Sequence, residues 1–240
     1  MLIIRDLEKI YKGTNKGITE VSIHVEKGDL YAFIGHNGAG KTTLLKAVTG
    51  IHAYDKGEVL IDGIDLKKKP EAAKRLFAYV PDNPDVYEFM TGIQYLNFIA
   101  DVFQVSAADR EKRIAEYANR FEITSSLGDL ISGYSHGMKQ KLVLISAFVH
   151  EPKLLIMDEP FVGLDPKATF IVKEILKELT ERGGAVFFST HVLDVAEKLC
   201  NKVAIVKDGH LITSGLMQDV LKEKASLEAL FMETVSKDEK

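Results

Sequence analysis

The run Gly35-His36-Asn37-Gly38-Ala39-Gly40-Lys41-Thr42-Thr43 most restricts what this chain can fold into. An apolar stretch, 30–34, leads into it, and a helical spacing of Leu44, Leu45 and Val48 leads out. A strand that enters a glycine loop and leaves through a helix belongs to an α/β fold with a parallel sheet. The glycines let the backbone curl so that successive N–H groups of residues 35–43 point at phosphate oxygens. The helix N-terminus contributes its dipole, Lys41 a full positive charge, and the Thr42 hydroxyl a ligand for Mg²⁺. The pattern is that of a P-loop, and it implies binding of a nucleoside triphosphate.

A second motif adds chemistry to binding. Residues 154–157 are wholly apolar and precede Asp158-Glu159-Pro160, the pattern of a parallel strand buried on both faces. Functional groups of open α/β sheets gather at the carboxyl ends of such strands. Asp158 is therefore placed to hold Mg²⁺, through a water, and Glu159 to polarise the water that attacks the γ-phosphate. A third strand, 185–188, runs through Ser189-Thr190 to His191, where an imidazole can reach the same phosphate and orient that water.

With the segments YSHGMKQ at 134–140, GLDP at 163–166 and STH at 189–191 in this order, the chain resembles the nucleotide-binding domain of ATP-binding cassette (ABC) transporters from about Met1 to Gly215. The resemblance implies a P-loop fold with an antiparallel β-subdomain and a helical subdomain. It aligns Ser135, His136, Gly137 and Met138 with the family signature, Asp165 with the loop at the dimer interface, His191 with the switch histidine and Tyr11 with an adenine-stacking aromatic. It also implies ATP and Mg²⁺ as ligands, with Glu159, His191 and Lys41 as the catalytic groups. Ser135 is a good N-cap for a helix carrying Met138, Leu142, Ile145 and Val149, and such a helix has a positive end suited to an anion. In the family that end completes the ATP site of a second nucleotide-binding subunit. Two ATP molecules are then held between two head-to-tail domains.

Composition sets the outer bounds. At 240 residues the chain has room for one such domain and not two. Net charge is −4 and the basic residues are scattered, so no stripe for nucleic acid is present. The one cysteine, Cys200, excludes an internal disulfide and suits a reducing cytosol. No apolar run approaches the ~20 residues needed to cross a bilayer. The expected setting is cytoplasmic and peripheral, on the inner face of a membrane, through a transmembrane permease made of separate chains.

The organisation reads as one ABC ATPase domain. Residues 1–81 and 151–215 form the catalytic core with its β-subdomain, 82–150 the helical subdomain and 216–240 a C-terminal extension ending in a polar, frayed 235–240. Residues 57–65 alternate around an Asp62-Gly63 turn, the mark of an antiparallel hairpin. Thr91-x-x-Gln94 and Ser106-x-x-Asp109 resemble capping boxes. Later elements are expected at 153–157, 166–182, 185–189, 192–200 and 203–206.

Two departures from the family pattern stand out. Asp82 occupies the place of a glutamine, where it can still reach Mg²⁺ directly or through water but adds negative charge beside Asp158 and Glu159. YSHGM replaces LSGGQ, with Ser135 and Gly137 kept. Both departures, with the short C-terminal extension, fit exporter-type subunits better than sugar or metal importers. Two rivals stay open: a soluble assembly ATPase without a membrane partner, and an ATP-gated interaction module with weakened turnover.

Overall fold

The computed structural model describes residues 1–14, 16–222 and 224–236. The expected polar end, 235–240, lies outside the described residues from 237 onward. In chain order come β1 (Leu2–Ile10), β2 (Gly17–Val25), β3 (Leu30–Ile34), α1 (Lys41–Val48), β4 (Lys56–Ile61), β5 (Ile64–Asp65), α2 (Pro70–Lys74) and β6 (Phe77–Val80). A helical block follows: α3 (Gly92–Val102), α4 (Ala107–Arg120) and α5 (His136–Val149). The chain then alternates through β7 (Leu154–Asp158), α6 (Pro166–Glu181), β8 (Ala185–Thr190), α7 (Leu193–Leu199) and β9 (Lys202–Lys207). It ends with β10 (His210–Leu216), α8 (Met217–Val220) and α9 (Leu227–Ser236).

Two sheets result. The larger has the order β10-β9-β3-β8-β7-β6, parallel except for the antiparallel edge strand β10. The smaller, β2-β1-β4-β5, is antiparallel throughout. Every residue of β3, β7 and β8 is buried, as continuous apolar strands covered on both faces must be. Their period-two alternation divides the interior. Ala32, Leu155, Met157, Val186 and Phe188 face a core shared with α3–α6. Phe33, Leu154, Ile156 and Phe187 face a second core shared with α1 and the smaller sheet. The α/β class with an antiparallel sheet and a helical block is thus as the sequence implied.

Local signals mostly hold, with informative exceptions. The 57–65 hairpin pairs Ile61 with Ile64, and Asp62 and Gly63 both take positive φ (49° and 80°), the backbone of a two-residue turn. The Thr91 capping box is complete, since Gln94 N–H donates to the Thr91 hydroxyl and Thr91 N–H donates to Gln94 Oε1. At Ser106 only half of the box forms. Asp109 N–H donates to the Ser106 hydroxyl, which itself donates to the Asp109 carboxylate at 2.6 Å. The aspartate side chain, one carbon shorter than glutamate, meets the cap hydroxyl and not its backbone.

A stacked pair joins the C-terminal ends of α3 and α5. Phe103 and His150 lie 3.6 Å apart with an interplanar angle of 5°. Burial, and then the positive charge of Arg113, lower the His150 pKa to about 4. The unfolded chain therefore takes up a proton near pH 6.5 that the folded chain refuses until about pH 4. Folding stability is full above pH 6.5 and declines as pH falls through that window. His150→Phe keeps the stack and removes the proton, so its loss of stability between pH 7 and 4.5, measured by urea unfolding, should be smaller by about 2–3 kcal/mol. Equal losses in the two proteins would refute this assignment.

Candidate active site

Of the five parallel strands that end at one side of the large sheet, four deliver residues the sequence singled out. β3 runs into the 35–40 loop, β6 into Pro81-Asp82, β7 ends on Asp158 and β8 leads to His191. The register pairs Ile34 with Thr190, Asp158 with Ser189 and Val80 with Met157, which levels the four ends.

The loop is built for close approach. Gly40 caps α1 with φ 106°, and a Cβ there would come within 2.8 Å of Ile18 Cγ2 and 3.0 Å of the Gly17 carbonyl. Asn37 and Gly38 are exposed at the tip, while Gly35 and Ala39 are buried; Thr42 and Thr43 are half-buried on the first turn of α1. The Lys41 side chain is only 7% exposed. Its Nζ donates to Gly35 O (2.8 Å) and His36 O (3.3 Å), and it lies 3.5 Å from Glu159 Oε1. The sequence reading gave His36 a backbone role alone. The structure adds side-chain contacts, with Nδ1 2.8 Å from Asn37 O and Nε2 3.4 Å from Asp208 Oδ1. Asp208 belongs to the β9–β10 turn, whose Gly209 N–H donates to Ala39 O at 3.0 Å. This outer brace of the loop comes from a segment 170 residues away and leaves no local signal.

The two carboxylates sit in unlike surroundings. Asp158 is completely buried; its Oδ1 accepts from the Ser189 hydroxyl, and its Oδ2 has no partner. Burial raises its pKa, the charges of Asp82 and Glu159 add to this, and the Ser189 and Thr42 hydroxyls oppose it. The sequence gives Ser189 only as part of the STH run, with no sign that it bonds Asp158. Glu159 takes φ 48°, a left-handed backbone in which its N–H donates to Ser189 O at 3.2 Å. Its carboxylate is shared, with Oε1 facing Lys41 and Oε2 2.9 Å from His191 Nδ1 and accepting from His191 N–H at 3.3 Å. Lys41, Glu159 and His191 thus form one continuous chain of contacts across three strand ends. Asp82 is exposed and accepts from Asn83 N–H at 2.9 Å, so it acts on Asp158 through its charge.

Tyr11 follows β1, where Ile10 pairs with Gly17, the residue that abuts Gly40. The signature residues lie elsewhere. The Ser135 hydroxyl accepts from Met138 N–H (3.3 Å) at the start of α5, with Ser135 and His136 exposed. The His136 ring rests on Gly163, where a Cβ would meet its Cδ2 at 2.7 Å, and Gly137 faces the Gly163 carbonyl. Asp165 caps α6 by accepting from Ala168 N–H (2.7 Å) and pairs with Lys141 at 2.8 Å. That hydrogen-bonded lysine, and then the Ala168 N–H, hold its carboxyl below the usual range. Within the chain, then, Asp165 ties α5 to α6.

A P-loop on a parallel sheet, facing a buried Asp-Glu pair and a strand-end histidine, defines a nucleoside triphosphatase of the cassette type. The sequence profile described as "ABC transporter" matches residues 18–162, and the chain belongs to this family. It binds ATP and is an ATP-hydrolysing cassette. It is 35% identical to the uncharacterised ABC transporter ATP-binding protein YthP of Bacillus subtilis (strain 168), over 91% of this chain and 87% of that one. It is 32% identical to the ABC-type transporter ATP-binding protein EcsA of the same organism, over 99% and 98% of the two chains. A solved structure of an ATP-binding subunit of an ABC transporter superposes with a TM-score of 0.94 at 34% identity, covering 98% and 99%.

Proposed function

We propose that this chain is the motor subunit of a transporter whose membrane-spanning permease is a separate polypeptide. The Lys41–Glu159–His191 contact chain at one sheet edge carries the motor half of this reading. In it Lys41 neutralises phosphate charge, the N–H groups of 35–43 cradle the phosphates and Tyr11 stacks on adenine. Glu159 accepts a proton from the attacking water while His191 holds that water and the γ-phosphate in line. Magnesium fits the donor set, because Asp158 keeps a buried Oδ2 with no partner and its carboxylate is within the influence of the Thr42 hydroxyl. Mg²⁺ characteristically takes one or two protein oxygens and completes its shell with phosphates and water. Thr42 and Asp158 would hold it, with Asp82 near enough to tune its charge, and it would spread the charge of the β- and γ-oxygens.

The exposed start of α5 is suited to a second copy or a related subunit, whose ATP would meet Ser135 and Gly137. ATP would draw the pair together and hydrolysis would release it. The chain reads as one ATPase domain, with 1–81 and 151–215 as its core, 82–150 as the helical part and 216–240 as an extension.

No helix among the described residues is long and apolar enough to cross a bilayer. One surface supports a membrane partner. Past Asp82, Tyr87 packs 5.8 Å from Phe89 and 5.7 Å from Phe98, and all three are exposed, Phe89 by 76%. A contiguous apolar patch of this kind marks an interaction surface. Capture of tagged protein from native membranes in mild detergent should recover a multi-span protein in near-stoichiometric amount, and Phe89→Asp should lose it. Recovery of soluble partners alone would replace the transporter reading with that of an assembly ATPase.

A further inference from the structure

The Tyr11 ring is held from behind by a residue that nothing above assigns. Its hydroxyl lies 3.1 Å from Nδ1 of His52, with the two rings edge-on at 88° and 6.0 Å between centroids. The contact is made through the hydroxyl and leaves the ring faces free of the imidazole. Lys9 Nζ lies 5.8 Å from the Tyr11 centroid, within cation–π range.

His52 is itself fixed to the phosphate-binding helix. Its N–H and that of Ile51 both donate to Lys46 O, at 2.9 and 3.0 Å, folding the segment back on the end of α1. Three residues on, the segment is tied to β1: Asp55 N–H donates to Glu8 O (2.7 Å) and Asp55 Oδ2 accepts from Ile10 N–H (2.8 Å). α1 therefore begins at Lys41 and ends, about 12 Å later, against the residue that grips Tyr11. One rigid element spans the phosphate end and the aromatic end of the site.

We infer that His52 is a positioning residue for nucleotide binding. It fixes the tilt of the Tyr11 ring relative to the P-loop, so that a purine base lands on the ring when the triphosphate is seated. This rests on the assignment of Tyr11 as the base platform. His52 touches neither base nor phosphate, and its contribution is the ordering of a half-exposed side chain before the ligand arrives.

The test compares ATP with inorganic tripolyphosphate, which carries the phosphates and lacks the base. His52→Ala and Tyr11→Phe each remove the same hydrogen bond, and each should raise the KM for ATP about three- to tenfold. In His52→Ala the kcat should stay within about twofold, and the inhibition constant of tripolyphosphate should not change. The double variant should be no worse than either single one, and His52→Gln, which can still bond the hydroxyl, should recover most of the affinity. Should Tyr11→Ala raise KM while His52→Ala and Tyr11→Phe do not, the role of His52 is overturned and Tyr11 keeps its own. Should Tyr11→Ala leave KM unchanged, the base platform itself is lost. Should His52→Ala weaken tripolyphosphate as much as ATP, the histidine acts on the P-loop fold and the inference fails.

Discussion

Glu159→Gln is expected to bind ATP as well as the parent protein and to turn it over about 100- to 1,000-fold more slowly. The amide keeps the shape of the side chain and can still accept from the His191 N–H, so the strand-end geometry survives. What it loses is the ability to take a proton from water. It also loses the negative charge that lies 3.5 Å from Lys41 and 2.9 Å from His191 Nδ1. Phosphate release under saturating ATP reads the turnover, and a fluorescent nucleotide reads the binding. If hydrolysis is what reopens a closed pair of subunits, the variant should also elute as a dimer when ATP is present. Turnover within fivefold of the parent would remove Glu159 from the role of base.

The second large effect is expected at Lys41. Lys41→Met preserves most of the buried stem and deletes the charge, so packing around α1 should change little. The deleted group makes charge-assisted hydrogen bonds to the carbonyls of Gly35 and His36 and lies at the centre of the loop. With the ammonium gone, the triphosphate would meet backbone donors alone. A charge-assisted contact of this kind contributes ~1.5–3 kcal/mol, so the dissociation constant for ATP should rise about 10- to 100-fold. Isothermal titration at fixed Mg²⁺ would measure it. Unaltered affinity would mean that the loop amides and the metal carry the phosphates without the lysine.

The parts of this site that the sequence disclosed are those with short-range signatures. The P-loop announces itself because its glycines, lysine and threonine act within nine residues. The strand carrying Asp158 shows as an uninterrupted apolar run because both of its faces are covered. Thr91 and Gln94 show as a cap because they bond each other across one turn. What stayed hidden depends on residues far apart in the chain. Nothing near His36 foretells Asp208, and nothing near Tyr11 foretells His52. The STH run shows Ser189 but not its partner, because Asp158 sits 31 residues earlier on the adjacent strand. Asp165 was read from the family as an interface residue, yet its N-cap bond to Ala168 was legible from Asp165-Pro166 at the head of a helix. The antiparallel β10 escaped because its alternation of exposed and half-buried residues is weak beside the apolar runs before it.

The left-handed backbone at Glu159 has a bearing on how such a protein evolves. A side chain with a Cβ held at φ 48° strains the native state by ~1–2 kcal/mol relative to glycine. Glycine there would relieve that strain but leave the buried Lys41 ammonium without its carboxylate, so the position has no free path to a sturdier fold. Glu20, Glu122 and Glu151 hold the same backbone away from the site, at φ 51°, 58° and 49°, so it is the partners of the Glu159 carboxylate, and not the strain, that tie this position to turnover.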